Sequence, residues 1–189
     1  MQNALVFVVS TLLELYVITF VLRLALGWVR ADFRNPLAQL IIKVTNPLVI
    51  PARRIVPAAG PLDTATLVVL ILLQTAATAL LLQLSCVGNP QVDQIVVLAL
   101  LRLVHVVLNV YFWLLIVYVL SSWLSPGGYN PALALLASVV APLLAPLRRV
   151  IPTIGGLDLS PIAAFLIIGF LQRLIPARVP LAGIVCIPF

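Results

Sequence analysis

The sequence predicts an all-α integral membrane protein with four transmembrane helices, arranged as two parallel tandem repeats. Composition is the first reason, because the 189 residues are 63% hydrophobic and 8% charged, whereas a soluble domain has about 45–50% and about 25%. A surface with so few charges must be covered partly by lipid. The second reason is that the chain matches itself without a gap when it is shifted by 95 positions, so that Asn35 falls on Asn130. Such a match indicates two homologous halves.

Each half carries the same motif of an Asn-Pro pair, three more prolines, an arginine doublet and an aspartate. The motif residues are Asn35, Pro36, Pro47, Pro51, Pro57 and Asp63 in the first copy and Asn130, Pro131, Pro142, Pro146, Pro152 and Asp158 in the second. The copies divide the chain into a first repeat over 1–87, an external turn over 88–93, a second repeat over 94–176 and an apolar tail over 177–189. The sequence assigns no structure to the tail.

Each repeat contains two predicted spans. In the first repeat they cover about 4–29 and about 64–87, with Asp63 placed to cap the second span. The first of them is longer than the ~20 residues that cross a bilayer core. Arg23, near its end, is expected to extend its charged head to the lipid headgroups. In the second repeat the spans cover about 94–124 and about 158–175.

A short cytoplasmic-side amphipathic helix is predicted between the two spans of each repeat. In the first repeat, Asn35 is a suitable N-cap and Pro36 a suitable first helical residue. The apolar residues that then recur on one helical face are Leu37, Leu40, Ile41, Val44 and Leu48. This pattern is typical of a helix that lies in the membrane interface. We predict that Pro47 and Pro51 end it, because each removes a backbone donor.

The distribution of basic residues predicts the orientation. The loop after the first span holds five of them and the loop after the third span holds the Arg148–Arg149 doublet, whereas the turn after the second span holds none. Because short loops rich in Lys and Arg are retained in the cytoplasm, both basic loops should be cytoplasmic. Two halves inserted the same way up are expected to be related by a two-fold axis along the membrane normal.

The net charge of +6 points to anionic lipid headgroups rather than to nucleic acid, because the basic residues lie beside hydrophobic spans. The candidate docking residues for lipid, or for a membrane-protein partner or second copy of the chain, are Lys43, Arg53, Arg54, Arg148 and Arg149. The alternative is that these residues only fix the topology.

Polar residues inside the predicted spans form a second candidate site. They are Glu14, Gln74, His105 and Asn109, and under two-fold symmetry they could converge near the middle of the bilayer. Such a cluster serves either as interhelical hydrogen-bonding glue or as a path for ions or protons. The sequence leaves both possibilities open.

No enzymatic machinery is recognisable in the sequence. It contains no nucleophile–base pair, metal-ligand spacing or phosphate-binding loop, so we predict a protein without catalytic residues, metal or cofactor. Its two cysteines, Cys86 and Cys186, are too few and too far apart for a metal site. Both are expected outside the cytoplasm, and a bond between them stays open because it depends on geometry.

Several phrases of the sequence resemble the YggT family. They are Leu13-Glu14-Leu15-Tyr16, Asp32-Phe33-Arg34-Asn35-Pro36 and the phrase from Pro51 to Pro57, which returns from Pro146 to Pro152. The resemblance covers nearly the whole chain and implies a bacterial inner-membrane protein with two tandem repeats. It carries no catalytic residues.

The resemblance also implies a range of functions. Bacterial members of the family are linked with osmotic-stress tolerance and ion homeostasis. Relatives in division gene clusters are linked with septation or nucleoid distribution, and a chloroplast branch assists haem attachment to a b-type cytochrome. We therefore expect a non-catalytic membrane protein that organises lipid or a partner and supports osmotic-stress tolerance. The alternatives are a small oligomeric ion channel or transporter and a membrane assembly factor for division or cytochrome maturation.

Overall fold

The computed structural model describes residues 2–56, 63–87, 90–124, 130–151, 158–175 and 185–186. Pro57, Pro152, positions 88–89 of the predicted turn and most of the tail lie outside these ranges. The described residues form six helices: α1 (Gln2–Trp28), α2 (Pro36–Ile55), α3 (Thr64–Ser85), α4 (Val92–Leu124), α5 (Pro131–Val150) and α6 (Ser160–Leu174). This confirms the predicted all-helical fold of two repeats, in which α1, α2 and α3 correspond to α4, α5 and α6.

Four of the helices are long and apolar enough to cross a membrane. These stretches are Ala4–Trp28, Thr64–Leu84, Val92–Ser121 and Pro131–Val150. The last of them lies in α5, whereas α6, the predicted fourth span, has 15 residues and is about 22 Å long, below the ~30 Å of a bilayer core. In its packing, however, α6 contacts α4 and α5 as α3 contacts α1 and α2. The interfacial position of α2 and α5 stays a prediction.

The prolines inside α2 and α5 do not end these helices, so that prediction is wrong. Pro47 and Pro51 lie within α2, and Pro142 and Pro146 lie within α5. In α2 the two rings deprive the carbonyl groups of Lys43 and Pro47 of their usual donors. These residues and Pro51 share one exposed face, where water or headgroups can supply the missing hydrogen bonds. The helix therefore continues through both prolines.

The predicted N-cap of α2 is confirmed, its counterpart begins α5 in the same way, and the cap of α2 also joins the two repeats. The Asn35 side chain accepts a hydrogen bond from the Leu37 amide at 3.0 Å, and Asn130 accepts one from the Ala132 amide at 2.9 Å. The side-chain amide of Asn35 also donates to the Pro131 carbonyl at 2.7 Å. The N-terminus of α2 is thus attached to the first turn of α5.

Packing between the repeats is not two-fold symmetric. Helix α3 packs along α4, but α1 and α6, which correspond to α4 and α3, are not among the helix pairs that pack. A two-fold axis would make these two contacts equivalent. The predicted two-fold axis is therefore wrong. The repeats pack head to tail, which means that the last helix of the first repeat contacts the first helix of the second.

Three clusters of buried side chains form the core. One lies within the first repeat and reaches α4, with Val17, Phe20, Val21, Val49, Val69, Leu70 and Val110. Another lies within the second repeat, with Leu115, Val140, Leu144, Ala164 and Ile168. The third joins the repeats beside the Asn35 hydrogen bond, with Ala25, Leu26, Ala31, Ala38 and Val139.

A short antiparallel ribbon, which the sequence did not predict, attaches part of the tail to the bundle. Strand β1 (Cys86–Val87) follows α3 and pairs with β2 (Val185–Cys186), so that Cys86 lies opposite Cys186 in the register. The chain therefore returns to the end of α3 after α6.

The C-terminus of α1 supplies a test of local backbone strain. Arg30 has a φ of 49°, and the amides of Arg30 and Ala31 donate to the carbonyls of Gly27 and Leu26 at 3.2 and 3.0 Å, which is a Schellman motif. A left-handed conformation costs a residue with a Cβ about 1–2 kcal/mol. We expect Arg30→Gly to raise the free energy of unfolding by about 1 kcal/mol. The measurement is denaturation by sodium dodecyl sulfate in mixed micelles.

Arg30→Ala is the matched control, because it removes the same charge but keeps the Cβ. We expect it to leave stability unchanged. Equal stabilisation by alanine and glycine would contradict the explanation from backbone strain.

Candidate functional site at the basic end of the bundle

In each repeat, the first arginine of the doublet forms an ion pair with an aspartate at the start of the following helix. Arg53 Nη2 lies 2.5 Å from Asp63 Oδ2, and Arg148 Nε lies 2.8 Å from Asp158 Oδ2. Both partners lie ten positions after their arginine. These ion pairs fasten the C-terminus of α2 to α3 and that of α5 to α6. They are partly exposed, so their contribution lies in positioning more than in free energy.

Both aspartates also accept hydrogen bonds from the first turn of the helix that follows them. Asp63 accepts hydrogen bonds from the Thr66 hydroxyl at 2.7 Å and the Thr66 amide at 3.4 Å, and Asp158 accepts one from the Ser160 amide at 3.0 Å. Burial would raise the pKa of both carboxyl groups, but the hydrogen bonds from arginine and from this first turn outweigh it, so that each pKa is lowered. Both groups therefore stay negatively charged at neutral pH.

Arg23 adds a buried positive charge to the first of the two pairs. Its side chain is only 8% exposed, and its Nη1 donates to Thr45 Oγ1 at 2.5 Å and Asn46 Oδ1 at 2.9 Å. Its Nε lies 3.8 Å from Asp63 Oδ2. The expectation that Arg23 extends to the headgroups is therefore wrong, because polar side chains of α2 bind it inside the bundle.

The second repeat has a neutral residue at the corresponding position. Tyr118 lies 95 positions after Arg23, and its hydroxyl lies 3.2 Å from Nη2 of Arg148. The first cluster thus has two arginines around Asp63, whereas the second has one arginine and one tyrosine around Asp158. Superposing positions 23 and 118 in the sequence could have revealed this difference.

The second arginine of each doublet points away from the bundle. Arg54 and Arg149 are exposed, as is Lys43, and each of the arginines is followed by a strongly exposed aliphatic residue, Ile55 or Val150. The sequence gives no reason to distinguish the two arginines of a doublet. In the structure the first arginine forms an ion pair with an aspartate, and the second forms none with the described residues.

No hydrogen bond joins any two of the four predicted intramembrane polar residues, all of which are described in the structure. Gln74 is buried, and its side chain lies 3.5 Å from Thr78 Oγ1. His105 and Asn109 are partly buried, and His105 Nδ1 has no hydrogen-bond partner among the described residues. Glu14 is exposed on the surface of α1. The described residues also contain no group of three His, Cys, Asp or Glu side chains that could hold a metal ion.

The two repeats are recognised separately by one family model. The model described as CCB3/YggT matches residues 2–84 and again residues 97–179. The matches begin 95 residues apart (97 minus 2), which is the offset of the internal repeat. This chain belongs to the CCB3/YggT family. The resemblance noted in the sequence is thereby confirmed.

Bacterial members of the CCB3/YggT family cover most of the chain. The uncharacterized protein PA0392 of Pseudomonas aeruginosa is 40% identical over 176 residues, which are 93% of this chain and 89% of the relative. The uncharacterized protein YggT of Escherichia coli is 36% identical over 167 residues, which are 88% and 86%. A Vibrio alginolyticus protein is 36% identical over 166 residues, which are 87% and 89%. No solved structure matches. Nothing in these names indicates catalysis.

Proposed function

We propose that this member of the CCB3/YggT family is a non-catalytic inner-membrane protein that binds anionic lipid headgroups at a cytoplasmic basic end and thereby supports growth under osmotic stress. The observation that carries the proposal is that only one arginine of each doublet forms an ion pair. All four arginines are exposed, but Arg53 and Arg148 are paired with Asp63 and Asp158, whereas Arg54 and Arg149 form no ion pair with the described residues.

The arginines in ion pairs determine where their neighbours project. Because the end of α2 is tied to α3 and the end of α5 to α6, Arg54 and Arg149 extend from anchored backbone rather than from a free loop. A guanidinium group can bind a phosphate oxygen pair with two hydrogen bonds. Ile55 and Val150, the exposed aliphatic neighbours, are suited to contact acyl chains beside that phosphate.

The surface of α2 supports a position in the membrane interface. Ala38, Thr45 and Val49 face the bundle. The exposed remainder carries the apolar residues Leu40 and Val44 on one side and the polar residues Gln39, Lys43 and Arg54, with Ile50 among them, on the adjacent side. A helix with one face on protein, one apolar and one basic fits the boundary between acyl chains and headgroups.

The contacts of the polar residues favour this function over ion conduction. Gln74 and Thr78 bond to one another within α3, so their polar groups find partners inside one helix, and Glu14 lies apart on the exposed surface. We therefore expect no potassium or sodium flux above that of empty liposomes when the chain is reconstituted. Flux abolished by Gln74→Leu would instead establish the conducting alternative.

Lipid binding is tested by removing the second arginine of both doublets together. We expect Arg54→Gln with Arg149→Gln to weaken binding of phosphatidylglycerol by about thirty-fold, because each guanidinium group loses hydrogen bonds to a phosphate that contribute about 1 kcal/mol net. Native mass spectrometry of the detergent-solubilised protein measures the bound lipid. The same variant should fail to restore growth in high salt to a bacterial strain that lacks its own YggT-type gene.

Arg30→Gln with Arg34→Gln is the matched control, since both residues are exposed and the change in net charge is the same. It should retain lipid binding and growth. Equal losses in the two double variants would show a general effect of charge and would contradict a defined headgroup site.

A further inference from the structure

The head-to-tail packing of the two repeats leaves one surface of each repeat uncovered. Within the chain, the first repeat contacts the second through α3 and the ends of α1 and α2, and the second repeat contacts the first through α4 and α5. By the 95-residue offset, the surface that α4 and α5 use is equivalent to a surface of α1 and α2 on the first repeat. The surface that α3 uses is equivalent to a surface of α6 on the second repeat. Because α1 and α6 are not a packing pair, neither of these surfaces is covered by another helix of the described part of the chain.

The open surface on α1 corresponds to a buried surface on α4. Val110, which is 7% exposed, packs against the first repeat, whereas its counterpart Leu15 is 55% exposed. The neighbours of Val110 on this surface are Leu103, Val106 and Val107, all partly buried, and their counterparts Val8, Thr11 and Leu12 are all exposed. Four equivalent positions thus differ in the same direction.

The open surface on α6 corresponds to a covered surface on α3. Thr78 is fully buried and Ile71 and Thr75 are partly buried, whereas the residues 95 positions later, Leu166, Phe170 and Arg173, are all exposed. By contrast, Leu72 and its counterpart Ile167 are both exposed. That pair marks the side of α3 and α6 that faces lipid in either repeat.

The helices at the basic end show the same difference. Val139 of α5 is 4% exposed because it packs against Ala25, Leu26 and Ala38 of the first repeat, whereas its counterpart Val44 in α2 is 40% exposed. Asn130 is also exposed, although its counterpart Asn35 is buried and donates to the carbonyl of the other repeat.

Glu14 provides an independent reason why the surface on α1 should be covered. It is exposed beside Leu15 and lies fourteen positions before Trp28, the end of α1, which is about 21 Å along the helix axis. A carboxyl group at this depth in contact with acyl chains is costly, and such residues normally face protein or a polar cavity.

We infer that a second copy of this chain covers these surfaces, packing its α6 against α1 in the way that α3 packs against α4. In the same way, α6 of the first copy packs against α1 of the second. The four repeats of the two chains then form a closed ring, as heterologous interfaces do when successive rotations return to the starting subunit. In this ring Asn130 of each chain donates to the Pro36 carbonyl of the other. The inference is independent of lipid binding.

Cross-linking between two differently tagged copies tests the ring. Both copies carry Cys86→Ser and Cys186→Ser; one also carries Leu12→Cys and the other Leu166→Cys. A short bis-maleimide should link them in native membranes, and neither copy should form a dimer with itself. The positions equivalent to this pair inside one chain, Val107 and Ile71, provide the positive control as an intramolecular cysteine pair.

Leu72→Cys with Ile167→Cys is the matched negative control, since both positions should face lipid in the ring. The inference is overturned if the intramolecular pair reacts and the Leu12–Leu166 pair does not, or if the control pair forms dimers equally well. Native mass spectrometry from nanodiscs gives a second measurement that needs no substitution. A mass of two chains is expected, and a mass of one chain would refute the ring.

Discussion

Asp63→Asn should lower the free energy of unfolding by about 3 kcal/mol, because it removes the counter-charge of the buried Arg23. The amide can still cap α3, so the loss reports the charge and not the cap. The same change at Asp158 should cost only about 0.5–1 kcal/mol. In that repeat the neutral Tyr118 replaces Arg23, and Arg148 is partly exposed. Unfolding by sodium dodecyl sulfate in mixed micelles measures both variants.

Acid titration is a second readout of the same contacts. The pKa of Asp63 is lowered in the folded protein, whereas an unfolded aspartate titrates near ~3.9. The stabilisation is therefore complete above the unfolded pKa and is lost as the pH falls through the lower, folded pKa.

For the two substitutions, equal losses of stability in Asp63→Asn and Asp158→Asn at neutral pH would show that Arg23 does not depend on Asp63.

Phe20→Ala should cost about 3–5 kcal/mol, because it opens a cavity in the core of the first repeat. Phe20 is fully buried, and its ring meets that of Tyr16 edge to face with centroids 5.2 Å apart. The counterpart of Phe20 in the second repeat is Leu115, which is also fully buried. Phe20→Leu should therefore cost less than about 1.5 kcal/mol.

The control for Phe20→Ala is Leu72→Ala, at a position exposed on α3. It should change stability by no more than about 0.5 kcal/mol. The measurement is again denaturation in mixed micelles. If alanine at position 20 costs no more than alanine at position 72, Phe20 does not organise the core.

The helices and their starting residues could be predicted because their causes are local. Asn35 and Pro36 begin a helix for reasons contained in two residues, and the apolar composition of α1, α3 and α4 suffices to predict spans. The continuation of α2 past Pro47 could not be predicted, because it depends on which side of the helix faces the bundle. Only the fold shows that the carbonyl groups without donors lie on an exposed side.

The ion pairs of the basic end could be predicted from the sequence, but the contacts around them could not. The spacing between Arg53 and Asp63 recurs between Arg148 and Asp158, which is a signal of pairing present in the sequence. The burial of Arg23 has no such signal, since it results from Thr45 and Asn46 of another helix. The exposure of Glu14 likewise follows from how the repeats pack, which a duplicated sequence leaves undetermined.

The two prolines of α2 have a mechanical consequence. Along the side that carries Lys43 and Pro47, two successive turns lack the hydrogen bonds that normally resist flexing. Curving the helix at this point breaks none of the remaining ones on that side. In the interfacial position proposed here, α2 would therefore bend at these turns more readily than an uninterrupted helix, and the Arg53–Asp63 pair would carry that bend to the start of α3.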